Sequence, residues 1–264
     1  MPTEIELRRH GSLAELWLVP REGRPPTLTH DTLDRLDEQI AAIEEAGSEV
    51  HTVVIRSASP KFFCVGADLN ALQYLNPDTI GSWIEHGHAV FDRLERLPQP
   101  VIARVEGYAL GGGLELALAA DLILASDAAQ LGQTEARLGF ITGWGGAWRL
   151  PRRVGASRAK EMFFTGRMVP AAEAVTLGLV EVCLPKEALE AYCTKAIQDI
   201  SASSMIAMRE FKRLVSDAPT LTFEAKTNAE VLASVECVRS ADTQQRVRDF
   251  LDRKKSAPPK FSAS

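Results

Sequence analysis

Three stretches of this 264-residue chain set glycine beside a carboxylate in a way that could do chemistry. The first is ALGGGLELALAADLILAS, residues 109–126. Gly111, Gly112 and Gly113 stand directly before an apolar run that reads as a helix, and Glu115 is its only charge before Asp121. Glycine costs a helix interior roughly 1 kcal/mol relative to alanine, so three in a row need a reason. One reason is structural: a tight turn and close strand–helix packing, with Glu115 as a first-turn acid favoured by the helix dipole. The other is chemical. A helix start leaves N–H groups with no partner in the helix, and a residue without Cβ lets a ligand atom come close to them. Such a place suits a phosphate, or an oxyanion that develops during a reaction.

The phosphate option loses ground on spacing. A G-x-G-x-x-G pattern begun at Gly111 ends on Leu116, and one begun at Gly107 fails at Ala109; no GK[ST] ending follows either. The second stretch, KFFCVGADL at 61–69, repeats the same logic, with Gly66 ahead of a helix start. Its plainer reading is a loop in which Asp68 caps that helix. The third, LGQTEARLG at 131–139 followed by TGWGG, sets Glu135 beside glycine-rich backbone. A solitary glutamate is usually solvated surface. Glu115 and Glu135, with one predicted strand between them, can instead converge on one cleft.

The elements that must position these residues follow from periodicity. Residues 4–7 and 13–19 alternate like a hairpin around His10-Gly11-Ser12. Leu33, Leu36, Ile40 and Ile43 fall on one face of a helix opened by Thr29 or His30. Strands are expected at 50–56, 101–105, 121–125 and 179–184, and helices at 78–96, 114–120, 156–166, 171–177 and 186–200. Pro98 and Pro100 close the helix before them. Strands alternating with helices mean an α/β core. Beyond about residue 200 only helices are expected, at 205–215, 222–238 and 242–254, before a Pro/Ser/Lys-rich end. The expected division is therefore a core at 1–200 and a helical region at 201–264, whose apolar faces need a partner. No repeat of fixed period is apparent.

Composition sets the outer limits. The chain is 45% hydrophobic and 25% charged, with a net charge of −5, which argues against a nucleic-acid surface. No apolar run approaches the roughly 20 residues of a spanning helix, and the first residues lack the apolar core of a signal peptide. Cys64, Cys183, Cys193 and Cys237 form no CxxC pair, so reduced cysteines in a cytoplasmic protein are expected. His86 and His88 flank Gly87 and point apart on a helix, which is poor metal-ligand geometry. No Ser–His–Asp order is evident.

FFCVGADL, EGYALGGGLELALAADLILAS and LGQTEARLGFITGWGGAWRLPRRVG, in that order and spacing, resemble the crotonase (enoyl-CoA hydratase/isomerase) superfamily. The resemblance runs from the hairpin at 4–19 to FLDRKK at 250–255. It implies a spiral of ββα units with a helical C-terminal region that builds trimers or dimers of trimers. It further implies an oxyanion hole for a thioester carbonyl, made by the N–H groups of Ala67 and Gly112. Asp68, Leu69, Asn70 and Gly143 fall at substrate-binding positions. Glu115 and Glu135 match the two acids of the hydratases, the first to activate water and the second to relay the α-proton, with the Gly143 N–H helping to hold the water. Coenzyme A would be part of the substrate and no further cofactor or metal is implied; the setting would be fatty acid and lipid metabolism. Lys254, Lys255 and Lys260 could touch the CoA phosphates or be solvated tail charges.

The chain also departs from the family pattern. Trp144 stands where a small residue is usual, Thr142 where proline is common, Thr27-Leu28 after Pro25-Pro26 where Asn-Ala-Leu is usual, and Gln245-Arg246 where an acidic-glycine pair is common. The GWGG run looks like a branch that decarboxylates malonyl-type thioesters. Three classes thus stay open: a 2-enoyl-CoA hydratase, another crotonase reaction (isomerase, decarboxylase or hydrolase), and a non-catalytic CoA- or RNA-binding relative.

Overall fold

The structure is a computed structural model that describes residues 3–21, 23–74 and 76–256. A hairpin opens it, β1 (Glu4–His10) pairing antiparallel with β2 (Leu13–Val19). α1 (His30–Ala46) starts at Thr29, whose side chain accepts from the Thr32 N–H. Its predicted apolar face, Leu33, Leu36, Ile40 and Ile43, is buried. There follow β3 (Thr52–Ser57), β4 (Phe62–Cys64), the single turn α2 (Leu69–Leu72) and α3 (Ile80–Glu95). Next come β5 (Val101–Val105), β6 (Tyr108–Leu110), α4 (Gly112–Leu118), β7 (Leu122–Ser126) and β8 (Gln130–Gly132). A 3-10 turn at Glu135–Leu138 leads to α5 (Gly146–Val154) and α6 (Ala156–Thr165). β9 (Val169–Pro170), α7 (Ala171–Thr176), β10 (Val182–Leu184) and α8 (Lys186–Ser201) complete the first of two compact units.

The strands sort into two sheets. One has the order β1-β2-β3-β5-β7-β10, parallel from β2 onward; the other has the order β4-β6-β8-β9. Consecutive strands thus alternate between sheets, β3 then β4, β5 then β6, β7 then β8, with helix after each pair. The chain winds as a spiral of strand–strand–helix turns, the α/β architecture expected. Parallel strands covered on both faces are apolar throughout, and β5 is buried at all five positions. Its one charge, Arg104, is paired with Glu106 and Glu190.

The sequence reading passed over β4, β6, β8 and β9, each only two or three residues long, and α5. It also began one helix at Leu114, whereas α4 starts two residues earlier, inside the glycines. The strand expected at 179–184 shortens to Val182–Leu184 because Leu179 and Val180 turn back to the Ala174 carbonyl.

The second unit starts at Ala202, one residue past the expected boundary. It holds α9 (Met205–Asp217), α10 (Phe223–Arg239) and α11 (Ala241–Ser256). α10 packs against α9 and α11 yet buries only Ala233; Phe223, Val231, Leu232 and Val238 stand exposed. Of the Pro/Ser/Lys-rich end expected from Lys255 onward, residues 255 and 256 close α11, and 257–264 lie outside the described residues. Among the described residues no helix is long and apolar enough to cross a membrane.

Candidate active site

Two loops that leave neighbouring strands of the second sheet press together. β4 runs out into Val65-Gly66-Ala67, and β6 into Gly111-Gly112. Gly66 has φ +85°, and a Cβ on it would lie 2.8 Å from the Gly112 nitrogen. A Cβ on Gly113 would overlap the Cys64 carbonyl. Close approach of backbone to backbone is therefore one reason for the glycines.

The same contact exposes donors. Leu28 clamps the first loop through backbone alone: its N–H donates to the Gly66 oxygen at 2.8 Å, and its carbonyl accepts from the Asp68 N–H at 3.1 Å. In this parallel bridge the N–H of Ala67 points away from Leu28. Because the clamp uses only backbone, the unusual Thr27-Leu28 pair preserves it. Among the described residues neither the Ala67 nor the Gly112 N–H has an acceptor, and both residues line one cavity. Gly112 is the first residue of α4, where an N–H has no partner within the helix. Two free backbone donors from adjoining loops are what a developing oxyanion requires.

Both glutamates line that cavity, which has a volume of about 90 Å³. Glu115, on the first turn of α4, is 1% exposed. Its Oε1 accepts from the N–H groups of Trp144 at 2.8 Å and Gly146 at 2.7 Å. Burial pushes its carboxyl up to about 7, helped by the nearby Glu135 and opposed by the N–H groups of Gly146, Trp144 and Gly143. A first-turn position alone favours the ionised acid; loss of water outweighs it here. Glu135 opens the 3-10 turn after β8, and its Oε1 accepts from Gln133 Nε2 at 2.6 Å. Burial raises its pKa too, against the pull of the Gln133 amide. Its Oε2 is buried with no hydrogen-bond partner among the described residues.

Of the residues the sequence reading offered, Ala67, Leu69, Gly112, Glu115, Glu135 and Gly143 line the cavity. Asp68 and Asn70 do not. Asp68 caps α2 instead, accepting from the Asn70 N–H at 2.8 Å and from its side-chain amide at 3.0 Å. Gly143, expected to help hold a water through its N–H, lines the cavity beside Glu115.

Two supporting residues were missed. Gln133, fully buried, orients Glu135; no strand period marked it, because Thr134 between the two already has αR backbone and Glu135 begins the 3-10 turn. Arg149, 2% exposed, donates to the Trp144 carbonyl at 2.7 Å, to Asp92 at 2.5 Å and to Glu95 at 2.8 Å. It pins the loop whose N–H groups hold Glu115. No local pattern marked it, because its acid partners lie on α3, 57 and 54 residues earlier.

The remaining candidates have structural employment. His86 pairs with Asp34 at 3.1 Å, and His88 stacks on Trp148. Among the described residues no group of three His, Cys, Asp or Glu could hold a metal ion. All four cysteines are free, and burial pushes the Cys64 thiol up to about 12. The side chains of Lys254 and Lys255 and all of Lys260 lie outside the described residues.

Comparison with known proteins agrees with this geometry. The family model described as enoyl-CoA hydratase/isomerase matches residues 26–261. The short-chain-enoyl-CoA hydratase of Clostridium acetobutylicum is 34% identical over 95% of this chain and 95% of its own. The human mitochondrial methylglutaconyl-CoA hydratase is 32% identical over 99% of this chain and 78% of its own. Among solved structures, an enoyl-CoA hydratase from Bacillus anthracis superposes with a TM-score of 0.89 at 32% identity, covering 95% of this chain and 96% of its own. With the spiral of two sheets, the paired glycine loops and the match along nearly all its length, the chain belongs to the enoyl-CoA hydratase/isomerase family.

Proposed function

We propose that the protein is an enoyl-CoA hydratase, adding water across the 2,3 double bond of a 2-enoyl-CoA thioester. The observation that carries this reading is the sharing of one cavity by a buried glutamate, a partly buried glutamate and two free backbone donors. The hydratases among its relatives support it.

In the proposed reaction the thioester carbonyl accepts from the Ala67 and Gly112 N–H groups. Glu115 takes a proton from water as its oxygen bonds to the β-carbon. The double-bond electrons move into the carbonyl, and the enolate oxygen is held by the two donors; one such donor is typically worth about 2.7–4 kcal/mol in the transition state. Glu135 then gives a proton to the α-carbon. The chemistry needs one carboxylate and one carboxylic acid at once. Burial raises the pKa of both carboxyls, and the charge of Glu135 adds to the rise at Glu115, so ionising one acid disfavours ionising the other. Coenzyme A enters as part of the substrate, with no other cofactor. We place the protein in the cytoplasm and assign Ala202 onward to assembly in trimers or dimers of trimers, on the strength of the uncovered apolar side chains of α10.

Hydration is tested by following loss of enoyl-thioester absorbance in ¹⁸O-labelled water. The product should carry one labelled hydroxyl at the β-carbon. An unlabelled, double-bond-shifted product would mean an isomerase, and turnover only of malonyl-type thioesters would mean a decarboxylase. Light scattering at micromolar concentration tests assembly; a stable monomer would refute it.

A further inference from the structure

One side chain lining the cavity beside the oxyanion loop reaches from there to α3. Trp144 is 2% exposed. One edge of its indole lies on Gly112, where a Cβ would sit 2.6 Å from Cζ3 and 2.8 Å from Cε3. The opposite edge lies on Gly87 in α3, where a Cβ would overlap Nε1. Between these ends the ring packs edge-on against Trp83, at 4.8 Å between centroids, and against Phe91, at 5.6 Å.

Two features show that this placement is costly. A glycine sits inside α3 at the point where the indole needs room, which weakens the helix. The indole N–H is buried with no acceptor among the described residues. What the arrangement secures is a bicycle that reaches from Gly112 to α3; a smaller ring would leave one end open. Held on both edges and by two aromatic neighbours, the indole cannot swing aside as an unbranched side chain would.

We propose that Trp144 sets the depth of the acyl pocket and restricts the protein to short-chain acyl thioesters. This rests on the reading that the thioester carbonyl docks on Ala67 and Gly112. With the carbonyl there and the β-carbon at the two glutamates, the carbons beyond meet the indole face. Of the other apolar residues lining the cavity, Leu72, Ile80 and Ile84 are half-buried, while Phe140 and Ile141 lie at the exposed rim.

The test compares Trp144→Ala and the milder Trp144→Phe with the parent. Affinities for butyryl-CoA and decanoyl-CoA, which carry no double bond to hydrate, are measured by calorimetry. The same proteins are assayed for kcat/KM on crotonyl-CoA and decenoyl-CoA. The readout is the long-to-short ratio within one preparation, which an inactive fraction does not alter. The parent should prefer butyryl-CoA. The ratio should rise at least about tenfold in Trp144→Ala, and by a smaller factor in Trp144→Phe. A folded variant with the parental ratio, or a parent that binds decanoyl-CoA as tightly as butyryl-CoA, would overturn the proposal. A shifted binding ratio with no hydration of any enoyl thioester would sustain the pocket-depth assignment while refuting the hydratase reading. Absence of binding by either thioester would refute both.

Discussion

Glu115 and Glu135 face one cavity with unlike support. Glu115 stands on a helix, is almost fully buried, and is held through one oxygen by backbone N–H groups of the 143–146 loop. Glu135 stands on a short 3-10 turn, is only partly buried, and is held by one amide side chain. The grip on Glu115 is in turn fixed by Arg149, which ties the Trp144 carbonyl to α3. The same residue type is thereby given a rigid place and an adjustable one. A rigid acid suits the placing of a water, which needs orientation. An adjustable acid suits proton delivery to a carbon that changes geometry during the reaction.

The sharpest way to break this comparison is to remove each charge in turn. Glu115→Gln and Glu135→Gln should each lower kcat by roughly 10²-fold or more, with little change in KM. The double variant should lose far less than the product of the two, as groups acting together do. Steady-state kinetics on an enoyl-CoA thioester would show this; full hydration by Glu115→Gln would end the assignment of water activation to it.

Arg149→Met should come next. It leaves Glu115 in place but loosens the loop that holds it, so kcat should fall roughly tenfold to a hundredfold. An Arg149→Met protein with parental kcat would show that the loop needs no such anchor.

A stability effect distinguishes the buried acid from its partner. An unperturbed glutamate ionises near 4.5, whereas Glu115 in the fold keeps its proton up to about 7. Between those values the native state binds more protons than the unfolded chain, so stability falls as pH rises through the window and levels off above it. Glu115→Gln lacks this loss. Relative to the parent it should gain up to about 3 kcal/mol on going from about pH 5 to about pH 8. Urea unfolding at both values measures the difference; an equal gap at the two pH values would contradict the buried, proton-holding Glu115. Glu135→Gln should show a smaller gain of the same sign.

The smallest effect is expected from Gln133→Met. Loss of the amide donor should raise the Glu135 pKa further, moving the limb of the pH–kcat/KM profile on which Glu135 loses its proton to higher pH and lowering the maximum by less than about tenfold. An unmoved midpoint would mean that Gln133 only fills space.

Much of this molecule is legible in its sequence. Leu33, Leu36, Ile40 and Ile43 form a buried helix face because a 3.6-residue period repeats long enough to be read. VIARV reads as a covered strand for the same kind of reason: its five residues all lie inside. Glycine spacing and the two acids pointed to one cleft, and the cavity lies there. What the sequence could not decide were matters of distance along the chain. Strands of two or three residues, such as β4 and β8, carry too few positions for a period, and exist because neighbouring turns of the spiral offer them partners. Asp68 and Asn70 lie beside Ala67 in the chain but outside the cavity, since the start of a helix turns their side chains to its own cap. The pKa of Glu115 depends on burial by residues far from it in sequence, which outweighs the helix dipole at its first-turn position. Local propensity is written in neighbours along the chain; desolvation, anchoring by Arg149 and the reach of Trp144 from Gly112 to Gly87 are written in neighbours across space, and only the folded chain brings those together.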